Sequence, residues 1–354
     1  MVSMATYANF QAGSYWQLLT AFIVVIGCLI FKVLNFKDKN IYKMNATTAE
    51  LKENILRLKR EKNALIMAHY YTRNEIQEIA DFIGDSLALA RKAAETDADI
   101  IVMCGVHFMG ETAKILCPDK MVLVPDIEAG CSLADSCDPE EFAAFTAAHP
   151  DHTVISYVNT SAAVKAHTDI VVTSGNARKI IESLPADEKI IFGPDRNLGE
   201  YINSVCGRRM LLWNGACHVH ERFSLERILA MKKSHPGAKI LVHPECRKPL
   251  QMIADKVGST AALLDFARTD EAGEYIVVTE SGILFEMQRK CPGKVFLPAP
   301  AEDAECQCNE CDFMKLNTLE KVYKALRDEA PRIEVESELA ERALRPIRRM
   351  LELS

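Results

Sequence analysis

The sequence predicts an α/β protein built as three pseudo-symmetric α/β/α domains whose parallel sheets surround a central active site. Three observations carry that prediction. Short apolar runs rich in β-branched residues alternate with helical stretches, the pattern of strands covered on both faces by crossover helices. The pattern occurs three times, with marker residues 88 and then 86 positions apart. In each copy the first strand runs out into polar residues, at the end where a parallel sheet presents groups to a ligand.

Taken in order, the first copy opens with the strand "NALIMAHYY", ending near His69, and continues through a helical stretch to "GDSLALARKA". The strand "DIIVMCG", the helix "MGETAKIL" and the strand "MVLVP" complete it. The second copy runs through "HTVISYVNT", "TSGNARKII", "KIIFGPD", "LGEYINSV" and "MLLWN", and the third through "AKILVHPEC", "GSTAALLDFA", "YIVVTES" and "KVFLP". His69, Tyr157 and His243 thus mark one period, and Ser86, Ser174 and Thr260 mark a second with the same spacings. The expected units span 44–137, 138–223 and 224–311, followed by C-terminal helices over 312–354.

The polar pairs His69 and Tyr71, Tyr157 and Asn159, and His243 and Glu245 stand at the ends of the three first strands. A single such pair would be read as a loop satisfying its own backbone; three at a fixed period point to one shared site. Ser86, Ser174 and Thr260 are expected at helix N-termini, where free N–H groups and the positive end of the dipole suit an anion. Gathered around a pseudo-threefold axis, they would favour a small polyanion such as a dicarboxylate or a phosphate ester.

At 354 residues, with 49% apolar residues and a formal charge of -7, the chain can bury a core but shows no basic footprint, so nucleic acid is not expected as a partner. Residues 1–43 form an apolar N-terminal extension. Its run from Trp16 to Leu34 would span about 28 Å as a helix. No Lys or Arg precedes that run, whereas Lys32, Lys37, Lys39 and Lys43 lie within or after it, the pattern of an N-out, C-in anchor. The other reading is an upstream extension ahead of a start at Met44, and membrane contact is expected only if the run is an anchor.

Twelve cysteines without an export signal imply a reducing cytoplasm in which thiols are free to bind metal. Cys306, Cys308 and Cys311 fall within six residues after the last strand of the third copy, and Cys217 follows the matching strand of the second, beside His218 and His220. This suggests a soft metal or a cluster. Cys28, Cys246 and Cys291 have no partner spacing and read as ordinary thiols. In the first copy two thiols compete: Cys104 directly follows a strand, while the pairing of "MVLVP" with "MLLWN" puts the counterpart of Cys217 near Cys131 in "EAGCSLADSC". An iron-sulfur hydro-lyase on another small dicarboxylate and a metal-sensing regulator are both compatible with these residues alone.

The segments "AHYYTRNEIQEIADFIGDS", "MCGVHFMGETAKIL", "AGCSLADSC", "YVNTSAAVKA", "WNGACHVHERF", "HPEC", "GST", "TESGI", "CDFMKLNTLEKV" and "ALRPIRRMLELS" resemble the quinolinate synthases, in order from about Met44 to Ser354. The resemblance implies an enzyme of NAD biosynthesis. It would condense iminoaspartate, supplied by an aspartate-oxidising enzyme, with dihydroxyacetone phosphate to give quinolinate, phosphate and water. It also implies a 4Fe-4S cluster on one cysteine per domain, matched here by Cys104, Cys217 and Cys311, with an open iron acting as a Lewis acid in dehydration. On the same matching, His69, Ser86, Tyr157, Asn159, Ser174, His220, His243, Glu245 and Thr260 bind substrates. Tyr71, Glu245 and His69 are the candidates for proton transfer.

Overall fold

The protein was analysed as a computed structural model, in which residues 47–302 and 309–354 are described. The chain divides into two compact units, Met1–Glu53 and Asn54–Ser354. In the first, the described residues begin the helix Thr48–Glu61 with a reciprocal cap. The Thr47 N–H donates to Glu50 Oε2 at 2.8 Å and the Glu50 N–H donates to Thr47 Oγ1 at 3.3 Å. The apolar run from Trp16 to Leu34 lies outside the described residues; among those, no helix is long and apolar enough to cross a membrane.

Among the described residues, the second unit holds twelve strands in three four-stranded sheets. The first sheet contains β1 (Ala64–His69), β2 (Phe82–Gly84), β3 (Ile100–Cys104) and β4 (Met121–Leu123). The second contains β5 (Thr153–Tyr157), β6 (Ile170–Val172), β7 (Ile190–Gly193) and β8 (Leu211–Leu212). The third contains β9 (Lys239–Val242), β10 (Lys256–Val257), β11 (Glu274–Val278) and β12 (Val295–Pro298). Their spatial orders are β2-β1-β3-β4, β6-β5-β7-β8 and β10-β9-β11-β12, one topology used three times, and every pairing is parallel. Parallel pairing requires a crossover between neighbours, and the intervening helices supply it while covering the sheets. The central strands read as unbroken apolar runs for that reason: all five residues of β3 are buried.

The repetition extends to single hydrogen bonds. Just ahead of each short second strand stands an aspartate whose carboxylate accepts the N–H of a first-strand residue: Asp81 from Ile66 at 2.9 Å, Asp169 from Val154 at 2.9 Å, and Asp255 from Ile240 at 2.8 Å. Each aspartate N–H returns to the carbonyl of that same residue. The bracket satisfies a strand peptide that the short neighbour does not reach.

A second threefold device closes the loop beyond each first strand. Gln77 Nε2 donates to the carbonyls of Tyr70 and Thr72, both at 3.0 Å. Gln251 Nε2 donates to those of Pro244 and Cys246, at 2.8 and 2.7 Å. In the second sheet the same place is taken by Lys165, whose Nζ donates to Val158 at 2.9 Å and also to Thr160. The helix Ser337–Leu353 ties the first two sheets together. It packs on β6 and on the helices His107–Leu116 and Ala162–Lys165, burying Ala343, Ile347 and Met350 along one face.

Removing one bracket leaves a strand N–H without its charged acceptor. Asp169→Ala is therefore expected to cost about 1–3 kcal/mol, read as a lower midpoint of chemical unfolding with an unchanged slope. A variant as stable as the parent would show that the bracket is dispensable.

Candidate active site

The carboxyl ends of β1, β5 and β9 face one cavity. His69 and Tyr157 are the last residues of their strands, and His243 follows β9 directly. Tyr71, Asn159 and Glu245, each two residues further on, line the same cavity, as do Ser86, Ser174, Thr260 and His220. Asn159 Oδ1 is buried without a protein partner.

The helix N-termini differ from expectation in one respect. The caps are the residues before the predicted ones: Asp85 Oδ1 accepts the Ala88 N–H at 3.0 Å, and Ser259 Oγ accepts the Ala262 N–H at 3.3 Å. Ser86 and Thr260 are the first helical residues, which leaves their hydroxyls on the cavity wall. Ser174 stands in the turn before the helix Ala177–Ser183, where Asn176 Oδ1 accepts the Thr173 N–H at 2.6 Å.

Two histidines are fixed in the same way by the loops they precede. The Tyr71 N–H donates to His69 Nδ1 at 3.2 Å, and the Glu245 N–H donates to His243 Nδ1 at 3.3 Å. A ring nitrogen that accepts from the backbone carries no proton, so the Nε2–H of each ring is the group offered elsewhere; that of His243 lies 3.3 Å from Ser174 Oγ. Burial disfavours the imidazolium and lowers both pKa values to about 3. Both rings are thus neutral donors at neutral pH.

A continuous chain of polar contacts crosses the cavity from the first sheet to the third. Tyr71 Oη lies 2.9 Å from Thr260 Oγ1 and 2.7 Å from Thr279 Oγ1, and Thr279 Oγ1 lies 2.9 Å from His220 Nε2. His220 Nδ1 lies 3.0 Å from Glu245 Oε2, and Tyr157 Oη donates to Glu245 Oε1 at 2.6 Å. The His220 ring stacks on His243 with centroids 4.8 Å apart. Burial opposes the charge on Glu245, yet His220, His243 and the Tyr157 hydroxyl outweigh it and hold the carboxyl below its usual range. Burial and the nearby Glu245 charge push both tyrosine hydroxyls well up.

Glu280 fastens this chain to the opposite wall. Its Oε1 accepts from Lys315 Nζ at 2.8 Å and from the Cys311 N–H at 3.1 Å, while its Oε2 accepts from the Gly282 N–H at 2.7 Å. Burial raises its pKa to about 6, against the pull of Lys315. Lys315 Nζ donates in turn to the Tyr71 carbonyl at 2.8 Å. A Cβ on Gly282 would come within 2.8 Å of the Tyr70 carbonyl oxygen and the Tyr71 Cα, so only glycine allows the two loops to approach this closely. Thr279, Glu280 and Lys315 carry no expectation from the sequence. The signals there are the strand pattern of "YIVVTES" and the segments "TESGI" and "CDFMKLNTLEKV", none of which assigns these residues a role.

The structure separates Cys104 from the cavity thiols. Cys131, Cys217 and Cys311 line the cavity; Cys104 does not. Cys104 ends β3 and is wholly buried, paired in register with Ala68. The equivalent sheet positions are Gly193 and Val278, so Cys104 occupies a core position of the repeat. Cys131, Cys217 and Cys311 instead follow the fourth strand of each sheet, and each immediately precedes a four-residue helical turn: Ser132–Asp135, His218–Glu221 and Asp312–Lys315. Backbone N–H groups of those turns reach the sulfurs, from Ala134 and Leu133, from His220, and from Met314 and Phe313. Cys104 has burial alone acting on it. Burial pushes Cys131 up to about 12, Cys217 well up and Cys311 up to about 11. Ser132 Oγ and His218 Nδ1, the residues after two of these thiols, lie 2.5 Å apart. Ligand atoms of Cys217, His220 and Glu245 fall within 4.8 Å of one another, which brings the thiol wall against the polar chain. Cys306 and Cys308 lie outside the described residues.

A family profile described as "Quinolinate synthetase A protein" matches residues 53–352. The chain belongs to the quinolinate synthase family. It is 57% identical over 297 residues to the quinolinate synthase of Thermosynechococcus vestitus, covering 84% of this chain and 93% of the relative. It is 55% identical over 306 residues to that of a Synechococcus strain (86% and 96%) and 53% identical over 311 residues to that of Chloroherpeton thalassium (88% and 97%). The chain is therefore an enzyme of the family that serves NAD biosynthesis, and every cavity residue named above falls inside the matched span.

The neutral histidines of this quinolinate synthase family member carry a pH signature. A lowered folded-state pKa means that the unfolded chain binds the proton first. The stabilisation is complete above about pH 6.5 and is lost as pH falls toward 3. His69→Gln should therefore flatten the acid side of the urea-unfolding stability curve by up to about 1.4 kcal/mol per pH unit. Parallel curves for variant and parent would assign the acid sensitivity to other groups.

Proposed function

We propose that the protein condenses iminoaspartate with dihydroxyacetone phosphate, giving quinolinate, phosphate and two waters. The observation that carries this reading is the meeting, in one cavity, of three thiols from three sheets with the chain Tyr71–Thr279–His220–Glu245. The condensation is redox-neutral and needs protons moved at several carbons and oxygens, which is work for a relay beside bound anions. Hydroxyl and imidazole donors along the walls, from Ser86, Ser174, Thr260, His69 and His243, suit carboxylate and phosphate oxygens.

The donor set fits an iron-sulfur cluster. Three soft thiol ligands line one cavity, and at each sulfur backbone N–H groups act against the burial that raises its pKa. Cys131, Cys217 and Cys311 are the residues that would hold it, in place of the set containing Cys104. With three protein ligands such a cluster leaves one iron open as a Lewis acid for loss of a hydroxyl.

In this reading the chain's own residues do the following. His69 and His243 donate Nε2–H to substrate oxygens and do not act as bases, because both Nδ1 atoms are taken by the backbone. Tyr71 Oη is the atom at which a proton enters or leaves the substrate, passed through Thr279 Oγ1 to His220 Nε2. Glu245 holds the charge that develops on His220 and orients Tyr157, since both its oxygens are engaged. Asn159 offers Oδ1 to the imine or enamine N–H.

Anaerobically reconstituted protein supplied with freshly generated iminoaspartate and dihydroxyacetone phosphate should form quinolinate; no product from protein with an intact cluster would refute the reading. Cys131→Ala, Cys217→Ala and Cys311→Ala should each lose iron and visible absorbance while Cys104→Ala keeps both. Iron retained in Cys131→Ala and lost in Cys104→Ala would return the site to the strand cysteine. Tyr71→Phe should keep the cluster and lower kcat by about 10²- to 10⁴-fold, the usual contribution of a positioned acid-base group; parental turnover would remove Tyr71 from the relay.

A further inference from the structure

Threefold repetition makes its own exceptions visible, and Lys165 is one. At the two equivalent positions a neutral amide, Gln77 or Gln251, holds the loop carbonyls seven and five residues upstream. Lys165 holds the matching pair, Val158 and Thr160, with an ammonium. Lys165 is fully buried, so the charge costs desolvation that glutamine would avoid. The loop clamp alone does not explain that choice, because the sister units close the same loop without a charge.

What the cation faces suggests the reason. The residue between its two carbonyl partners is Asn159, which lines the cavity with a buried, unpartnered Oδ1. Its Nζ lies 5.4 Å from the ring centroid of Phe108, another cavity residue. Burial lowers its pKa to about 8, and the nearby Glu111 carboxylate favours its charge. Among the described residues, the lining of the cavity contains Asp85, Glu245 and Glu280 but no Lys or Arg.

We propose that Lys165 is a specificity residue of this site. Its buried ammonium, set behind Asn159 and Phe108, gives the second-sheet wall the positive charge that the cavity surface lacks, and so favours anionic ligands. This rests on the anionic substrates proposed above. It adds the element that admits two negatively charged molecules to a pocket lined by the carboxyls of Asp85, Glu245 and Glu280. A cation behind the wall acts at long range without pairing with either substrate, and so leaves both free to react.

The repeat supplies the control. Lys165→Gln installs the amide that the other two units use, keeping the clamp and dropping the charge; Lys165→Met drops both. On cluster-loaded protein, quinolinate binding is measured by calorimetry, together with the thermal midpoint and iron content. Lys165→Gln should keep midpoint and iron while its Kd for quinolinate rises about tenfold or more, the effect of one charge across a side-chain layer at an effective dielectric constant of about 20. Lys165→Met should lose thermal stability as well. Parental affinity in Lys165→Gln would overturn the proposal. So would loss of iron or of stability in that variant, which would make Lys165 a structural clamp. Failure of the parent itself to bind quinolinate would overturn the substrate reading first, and this inference with it.

Discussion

The constraint on which the rest depends is the need to satisfy backbone groups where three parallel sheets turn their carboxyl ends inward. Loops normally leave their peptide groups to water. Here the first loop of each sheet lies against a shared cavity, and its carbonyls must find partners in the protein. A single side chain on the following helix does this in each unit, reaching back seven and five residues. Because the solution is local, each loop is set by its own unit. The residues it carries, His69 and Tyr71, Tyr157 and Asn159, His243 and Glu245, then meet in fixed positions.

With the loops held, electrostatics can be extreme at the centre without loss of order. Glu245 keeps its charge although buried, because His220, His243 and the Tyr157 hydroxyl surround it. Glu280 binds Lys315, the Cys311 N–H and the Gly282 N–H, so the thiol wall and the Tyr71 loop share one anchor. Breaking a buried arrangement of this kind costs more than its parts suggest, since each remaining partner is left unpaired.

The fold was legible because its signals recur. Apolar β-branched runs at a common period announce parallel strands, and the polar residues after the first strand of each copy announce the cavity. What was not legible lacks a repeated counterpart. Thr279 and Glu280 follow β11, and their register equivalents are Gly105 and Val106 in the first sheet and Pro194 and Asp195 in the second, so neither threonine nor glutamate recurs. Lys315 lies beyond the repeat altogether. The caps were misassigned by one residue, because Asp85 and Ser259 cap as well as the Ser86 and Thr260 beside them. Cys104 was favoured for directly following a strand, yet the last residue of a central strand is a core position. The period itself pointed to Cys131, and the structure puts that thiol on the cavity wall.

The row of hydroxyls between Tyr71 and Glu245 has a direction as well as a length. With the proton of His220 on Nδ1, which faces Glu245 Oε2 at 3.0 Å, its Nε2 accepts from Thr279. The single proton of Thr279 is thereby committed, and Thr279 can only accept from Tyr71. Tyr71 then has no proton to spare for Thr260, which donates to it. Every dipole in the row points the same way, as in an ice-like wire poled from one end, and the carboxylate that poles it is the residue farthest from the tyrosine. An amide in place of that carboxylate could donate as well as accept, so the ring tautomer, the direction of the row and what the Tyr71 oxygen presents would no longer be set by one end.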